Sequence, residues 1–331
     1  MTAYLIRRFM FGAVLILLAT VVSFTILKAA PGSPIALEDP RLSQEYIDAQ
    51  KRLFGLDQHP VRQYFTWLGM TWFFDTSGPK GLLQGDLGLS ITYKQPVWDV
   101  IEPRLWATLA MNVVALGVTW MVAIPLGIYA AVNQYKWGDR ALSFISFAGM
   151  SAPGFFIALL LLWLFAGVLN WLPAGNLTSL NHQEMSLLGK LWDYVLHMIV
   201  PVTVLVIGAL AGLQRLMRGN MLETLRQQYV QTARAKGLPE NKVIYKHALR
   251  NAINPMVTIL GFEFAAMFAG AAILENVINF PGMGQLLLEA LRGKDQSVVM
   301  ATFLLGSVML VLGSLLADIL LVLVDPRVSY G

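Results

Sequence analysis

The chain of 331 residues has no cysteine and little charge: Asp, Glu, Lys and Arg make up 13% of it, against 56% hydrophobic residues. The missing cysteines exclude a disulfide framework and a thiolate metal site. The four histidines are scattered at no ligand spacing. So small a charged fraction cannot cover a soluble globule of this length, and the composition predicts an all-α membrane protein. A net charge of +4 does not imply nucleic-acid binding, because in such a chain the distribution of charge matters more than its sum. Also missing are an H-E-x-x-H metal set, a nucleophile with its base, and a Walker A glycine loop. No catalytic residue and no bound metal is expected. Any uphill transport must take its energy from a partner or from an ion gradient.

Long apolar runs are what the chain has instead. A helix needs about 20 apolar residues to cross roughly 30 Å of hydrocarbon, and six segments qualify: 9–27, 105–132, 141–169, 195–216, 253–274 and 299–324. Arg7 and Arg8 before the first run also suit a signal peptide. Its 19-residue core is longer than such peptides use, and Ala29-Ala30 runs at once into Pro31, so a retained helix is predicted. With the N-terminus inside, thirteen Lys and Arg fall on inner pieces and three in short outer loops. The positive-inside rule then places both termini in the cytoplasm of a multi-pass protein of the cytoplasmic membrane. The predicted organisation is a first transmembrane helix over 1–29, an extracytoplasmic segment over 30–104, and a five-helix core over 105–331 with a cytoplasmic loop at 215–252. The external segment holds nine acids, a helix in "LSQEYIDAQKRLFGL" stopped by Gly55, and a turn at Ser77-Gly78-Pro79.

Within the spans Glu263 and Asp318 are the acids at depth. A membrane-embedded carboxylate either faces a wet path or bonds to a neighbouring helix, and both readings stay open for Glu263. Asn276 is the second candidate for a translocation pathway. Two acids on different helices also leave open a gradient-driven carrier or channel. Pro125, Pro153-Gly154, Pro201 and the G-x-x-x-G pair Gly208 and Gly212 are helix-disturbing or small. They predict close packing within the subunit, with a pathway lining or contact with a second membrane subunit as the alternative.

The loop "QYVQTARAKGLPENKVIYKHALRNAINP" differs in kind. Leu222, Leu225, Tyr229 and Ala233 recur at helical spacing, Gly237 supplies a left-handed stop, and Pro239 follows where a helix does not continue. A second helix beginning near Glu240 takes its apolar side from Val243, Ile244, His247 and Ala248. Two short helices at a glycine turn make a wedge, with the small residues Ala233, Ala235 and Gly237 at its apex. An apex of that kind suits docking against another protein.

This stretch resembles the cytoplasmic EAA loop of ABC-importer permeases, in the form "YVxTARAKGL…HALRNAxxP" of the dipeptide, oligopeptide and nickel branch. Tyr229, Val230, Thr232, Ala233, Arg234, Ala235, Lys236, Gly237, Leu238, His247, Ala248, Leu249, Arg250, Asn251, Ala252 and Pro255 match the pattern. "RRF…LKAAPGSP", "FGLDQHPVRQYFTWL", "GDLGLS", "PVWDVIEPRLWATL", "IPLGIYAAV…WGDR", "SAPGFF", "WLPAGN" and "ENVINFPGMGQLLLEAL" follow in the family's order, so the resemblance spans nearly the whole chain. It departs where Gln231 and Thr232 occupy the first two places of Glu-Ala-Ala. The segment 69–83 is also longer than the common pattern. The resemblance implies a type I importer fold. It implies four kinds of partner: a second homologous permease, two ATP-binding subunits, an extracytoplasmic solute-binding protein, and the bilayer. ATP and Mg are then held by the ATPase subunits, and Gln231 joins the matched residues from Tyr229 to Leu238, with His247 and Arg250, as the coupling surface.

Overall fold

The computed structural model describes residues 2–29, 43–70, 80–267 and 271–324. Among them the chain is helical, with a single isolated bridge between Leu89 and Pro96 and no strand. Among the described residues, four helices are long and apolar enough to cross a membrane: α1 (Thr2–Ala29), α4 (Val97–Val132), α7 (Leu187–Leu225) and α14 (Gln296–Val324). At about 1.5 Å per residue, the 39 residues of α7 reach well past the hydrocarbon. α7 therefore extends beyond the predicted 195–216 at both ends.

The predicted span 141–169 is bent. Helix α5 (Trp137–Ser151) meets α6 (Gly154–Leu161), which continues as a π-helix over Leu162–Val168, at 96°. Pro153 is the cause, because it has no N–H to donate and drives the residue before it out of the α region. Ala152 accordingly sits extended at φ −92°, ψ 133°. The predicted span 253–274 comprises α11 (Asn254–Ala266), of 13 residues, and the start of α12 (Ala272–Val277), with 268–270 outside the described residues. The described helices therefore include four spans, or five if the bent pair is one, where six were expected.

The chain divides into two compact units. One comprises Met1–Thr108, Phe268–Ala272 and Pro281–Val311. Its helix α2 (Gln44–Leu53) starts where the Ser43 hydroxyl accepts from the Tyr46 amide at 3.2 Å. It stops where Gly55 turns to φ +63° and the amide of Leu56 reaches the Lys51 carbonyl at 2.8 Å, which is the predicted glycine stop. Helix α3 (Pro60–Leu68) follows, and Phe24, Trp67, Leu68, Met300 and Leu304 bury their side chains together. At the base of the long segment the Gln84 side chain donates to the Gly69 carbonyl at 2.8 Å and accepts from the Gly81 amide at 3.0 Å. The turn predicted at Ser77-Gly78-Pro79 lies outside the described residues. Buried Asp295 accepts from the Ser90 hydroxyl and the Thr92 amide, fastening the "GDLGLS" loop to the start of α14.

The second unit comprises Leu109–Met267, Ile273–Phe280 and Leu312–Gly331. A β-carbon placed on Gly127 of α4 would fall 2.6 Å from Met217 Cβ and 2.8 Å from the Gln214 carbonyl of α7, so the backbones meet there because the residue is glycine. Arg218 grips buried Asp139 with two hydrogen bonds, at 2.7 and 2.8 Å, joining α7 to the start of α5. At the other end of α7, Asp193 accepts from the amide and hydroxyl of Ser179 and meets His182 Nδ1 at 2.7 Å, holding the preceding loop. Close packing was one expectation at Gly208 and Gly212, but nothing lies within 4 Å of a β-carbon built on either. The G-x-x-x-G face of α7 is open within the described chain.

Candidate functional site: a helix-turn-helix wedge and a carboxylate beside a cavity

Helix α7 ends at Leu225, and α8 (Gln228–Ala235) starts after a break at Arg226 and Gln227. The continuous stripe predicted through Leu222, Leu225, Tyr229 and Ala233 is therefore interrupted. The Gln231 side chain crosses the break and donates to the Leu225 carbonyl at 3.1 Å. That bond gives a physical reason for the departure from Glu-Ala-Ala, because a glutamate has no proton to donate to a carbonyl. Thr232, the other departure, folds its hydroxyl back onto the Gln228 carbonyl at 2.9 Å.

The predicted glycine stop is formed. Gly237 lies at φ +74°, its amide donates to the Arg234 carbonyl at 2.9 Å, and that of Leu238 reaches the Ala233 carbonyl at 3.4 Å. Nothing lies within 4 Å of a β-carbon built on Gly237, so backbone conformation and not space demands glycine there. Pro239 caps the second helix, which runs through α9 (Glu240–Lys242), a π-helical Val243–Ala248 and α10 (Leu249–Ala252).

The wedge has its own core. Val230, Ala233, Val243, Ile244, Ala248 and Ala252 are buried with Met217, Met221 and Met256, and Leu238 and Leu249 pack partly against them. Asn251 donates to the Tyr229 hydroxyl at 2.7 Å, and Asn220 donates to the Ala252 carbonyl at 3.1 Å. Ala233 was expected at the surface offered to a partner, but it is 6% exposed and faces this core. Val230 is likewise buried, and His247 is half-buried. The residues left outward are Tyr229, Gln231, Thr232, Ala235, Lys236, Gly237 and Arg250, with Arg234 at the edge. Arg234 pairs with Glu240 at 2.7 Å and holds that carboxylate below its usual range. Where α7 breaks into α8, an open cleft of about 820 Å³ is lined by Leu222, Glu223, Arg226, Gln227 and Tyr229, among others.

Glu263 sits in the last turn of α11. One of its oxygens, Oε2, accepts from the Trp120 indole N–H at 2.9 Å. It also lines a cavity of about 180 Å³ with Asn112, Thr119 and Met267 and the apolar Ala115, Leu116, Leu205 and Ala209. Each of the two readings left open for Glu263 thus has an observation. Asn276 is exposed on α12 and is not among the cavity's lining residues. Among the described residues no group of His, Asp and Glu is arranged to hold a metal ion. The indole of Trp120, the amide of Asn112 and the Asp139–Arg218 pair were not foreseen. They lie far from their partners in sequence and carry no motif.

The sequence matches the family model described as "Binding-protein-dependent transport system inner membrane component" over residues 123–330. Residues 1–112 match the model for the N-terminal part of such membrane components. The chain is 37% identical over 332 residues to the oligopeptide transport system permease protein AppB of Bacillus subtilis, with both chains fully covered. It is 32% identical over 345 residues to the dipeptide transport system permease protein DppB of Alkalihalophilus pseudofirmus, again with full coverage of both. Among solved structures, the MetNI methionine ABC transporter in an inward-facing form matches with a TM-score of 0.55 at 17% identity, covering 68% of this chain and 96% of that one. That likeness shows the type I importer permease fold. The chain is a multi-pass membrane protein and belongs to the family of binding-protein-dependent transport system inner membrane components, the permease subunits of ABC importers.

Proposed function

We propose that this permease forms half of the path through which short peptides enter the cell, paired with a second homologous permease. Six crossings leave both termini in the cytoplasm of a bacterial or archaeal cell, and the external segment 30–104 receives the solute-binding protein. Two ATP-binding subunits hold ATP and Mg and perform the hydrolysis. This chain performs none. The relatives named for oligopeptide and dipeptide transport support the solute class.

The observation that carries the coupling role is the wedge, which packs its apolar side inward yet leaves Gln231, Thr232, Ala235, Lys236 and Gly237 outward at a left-handed glycine turn. A cleft in an ATPase subunit that receives this edge moves it when ATP closes the pair, and the helices follow. Arg234 and Lys236 steer the approach more than they tighten it. The open Gly208–Gly212 face of α7 is where the second permease packs, since small residues let backbones approach.

Detergent extraction of a tagged chain from its own membrane tests this reading. ATP-binding subunits and a second permease should accompany it, and the assembly in vesicles should take up peptides when given ATP and the binding protein. A chain that purifies alone and transports without ATP is a gradient-driven carrier, and the reading fails.

A further inference from the structure

The cavity beside Glu263 combines features that agree on the sign of its ligand. A carboxylate at membrane depth is costly unless it meets a partner or water. Among the described residues Glu263 bonds to the Trp120 indole through Oε2, and neither Lys nor Arg lines its cavity. The last turn of a helix already carries partial negative charge on its free carbonyls, where cations are favoured and acids are not. Glu263 lies in the last turn of α11, which ends at Ala266 with no basic residue in that turn. The next carbonyl, of Met267, accepts from Asn112 Nδ2 at 2.8 Å and so turns toward the same cavity wall. An acid in that place concentrates negative potential where the local rule would dilute it. Such conflicts with a local rule are expected at functional positions.

The dimensions narrow the ligand further. About 180 Å³ admits an amine-bearing chain end and not a whole peptide. Leu116, Leu205 and Ala209 give the carbon next to such an amine an apolar wall. Among the described lining residues Glu263 is the one titratable group, and the bond it receives from α4 comes from the neutral Trp120 indole.

We propose that Glu263 receives the α-ammonium group of a peptide in transit, with Trp120 and Asn112 as positioning residues that fix the carboxylate and the end of α11. The contact rests on the peptide reading above. It makes the permease itself, and not its binding protein alone, selective for a free amino terminus. Trp120 holds one oxygen in place, and the carboxylate lines the cavity that the amine would enter.

The test uses the full transporter in vesicles, with its partner permease, ATPases and binding protein, and an equimolar mixture of short peptides with their N-acetylated counterparts. Mass spectrometry reads what enters. Glu263→Gln keeps the size of the side chain and an oxygen for the Trp120 bond but removes the charge. Uptake of free-amine peptides should fall by at least about tenfold, as for loss of one partner of a desolvated charge pair, while residual uptake of acetylated peptides stays within about twofold. Glu263→Asp should restore a large part of the free-amine uptake. Uptake by the Gln variant equal to wild type, or an equal loss of both peptide classes, overturns the proposal and leaves the permease reading standing. No uptake of either class by the wild type contradicts the peptide reading and the proposal with it.

Discussion

Arg234 and Glu240 face each other at 2.7 Å across the Gly237 turn, so the loop's single acid bonds the end of its first helix to the start of its second. The Arg234 guanidinium lowers the Glu240 pKa, and the sign of its pH dependence follows. The pair contributes fully above the carboxylate's unfolded-state value and is lost as pH falls through the lowered folded value. Amide hydrogen exchange over 234–242, corrected for its intrinsic pH dependence, should rise as pH falls below about 4. Glu240→Gln should raise it already at neutral pH. Both sides are well exposed, so the change is small and shrinks in high salt. Exchange that is indifferent to both changes would show that the pair does not order the turn.

Gln231→Glu restores the family's acid but should weaken this wedge. The bond to the Leu225 carbonyl is lost and a carboxylate is placed beside the oxygen it used to satisfy. The expected cost is about 1 kcal/mol of local stability, read as faster proteolysis between α7 and α8 in the purified chain. A Glu variant as resistant as wild type contradicts the capping role given to Gln231.

The two apex residues should fail for different reasons. Ala233→Arg drives a charge into the core shared with Met217 and Val243, so the wedge itself loosens. Gly237→Val has open space around it but must hold φ +74°, at a cost of about 1–2 kcal/mol. Gly237→Asn should restore much of the loss, since Asn tolerates that region. If Asn is as harmful as Val, backbone strain is not the cause.

Breaking the Asp139–Arg218 pair should be costly, because one charge is left buried. Arg218→Met is expected to lose on the order of 3 kcal/mol, seen as a lower midpoint of thermal unfolding in detergent. The double variant Asp139→Asn/Arg218→Met should recover part of it. A single variant that unfolds at the wild-type temperature would show the pair to be dispensable.

The open face of α7 makes a separate prediction. Nothing lies within 4 Å of a β-carbon at Gly208 or Gly212, so Gly208→Leu and Gly212→Leu should leave the subunit folded and inserted yet lose the second permease on extraction. Retention of that partner by both variants would place its contact elsewhere.

What the sequence disclosed follows a physical divide. Gly55 and Gly237 were legible as stops because a left-handed residue at a helix end has a local signature, and each forms that stop. Pro153 was legible as a disturbance, but its 96° bend was not, since a proline limits backbone angles without setting a direction. Ala233 was legible as lying on the apolar side of the first helix, but that this side packs on the chain's own Met217 and Val243 was not, because no local signal says what an apolar side will cover. The neighbours of Glu263 were out of reach, because Trp120 is 143 residues away in sequence and meets it only through helix packing. Asn112 is likewise 155 residues from the carbonyl it satisfies.

The central claim is that the wedge docks on an ATPase subunit inside the cell, and the absence of cysteine allows a direct measurement. A single cysteine replaces exposed Lys236 in one chain and exposed Asp57, between α2 and α3, in another. A short heterobifunctional crosslinker is then applied to membranes holding the assembled transporter. Lys236→Cys should give an adduct with an ATP-binding subunit, whose yield changes when ATP is added. Asp57→Cys should give none and should react with an impermeant reagent from the outside. No ATPase adduct at position 236 in a complex that still transports, or labelling of both positions from the outside, would contradict the account.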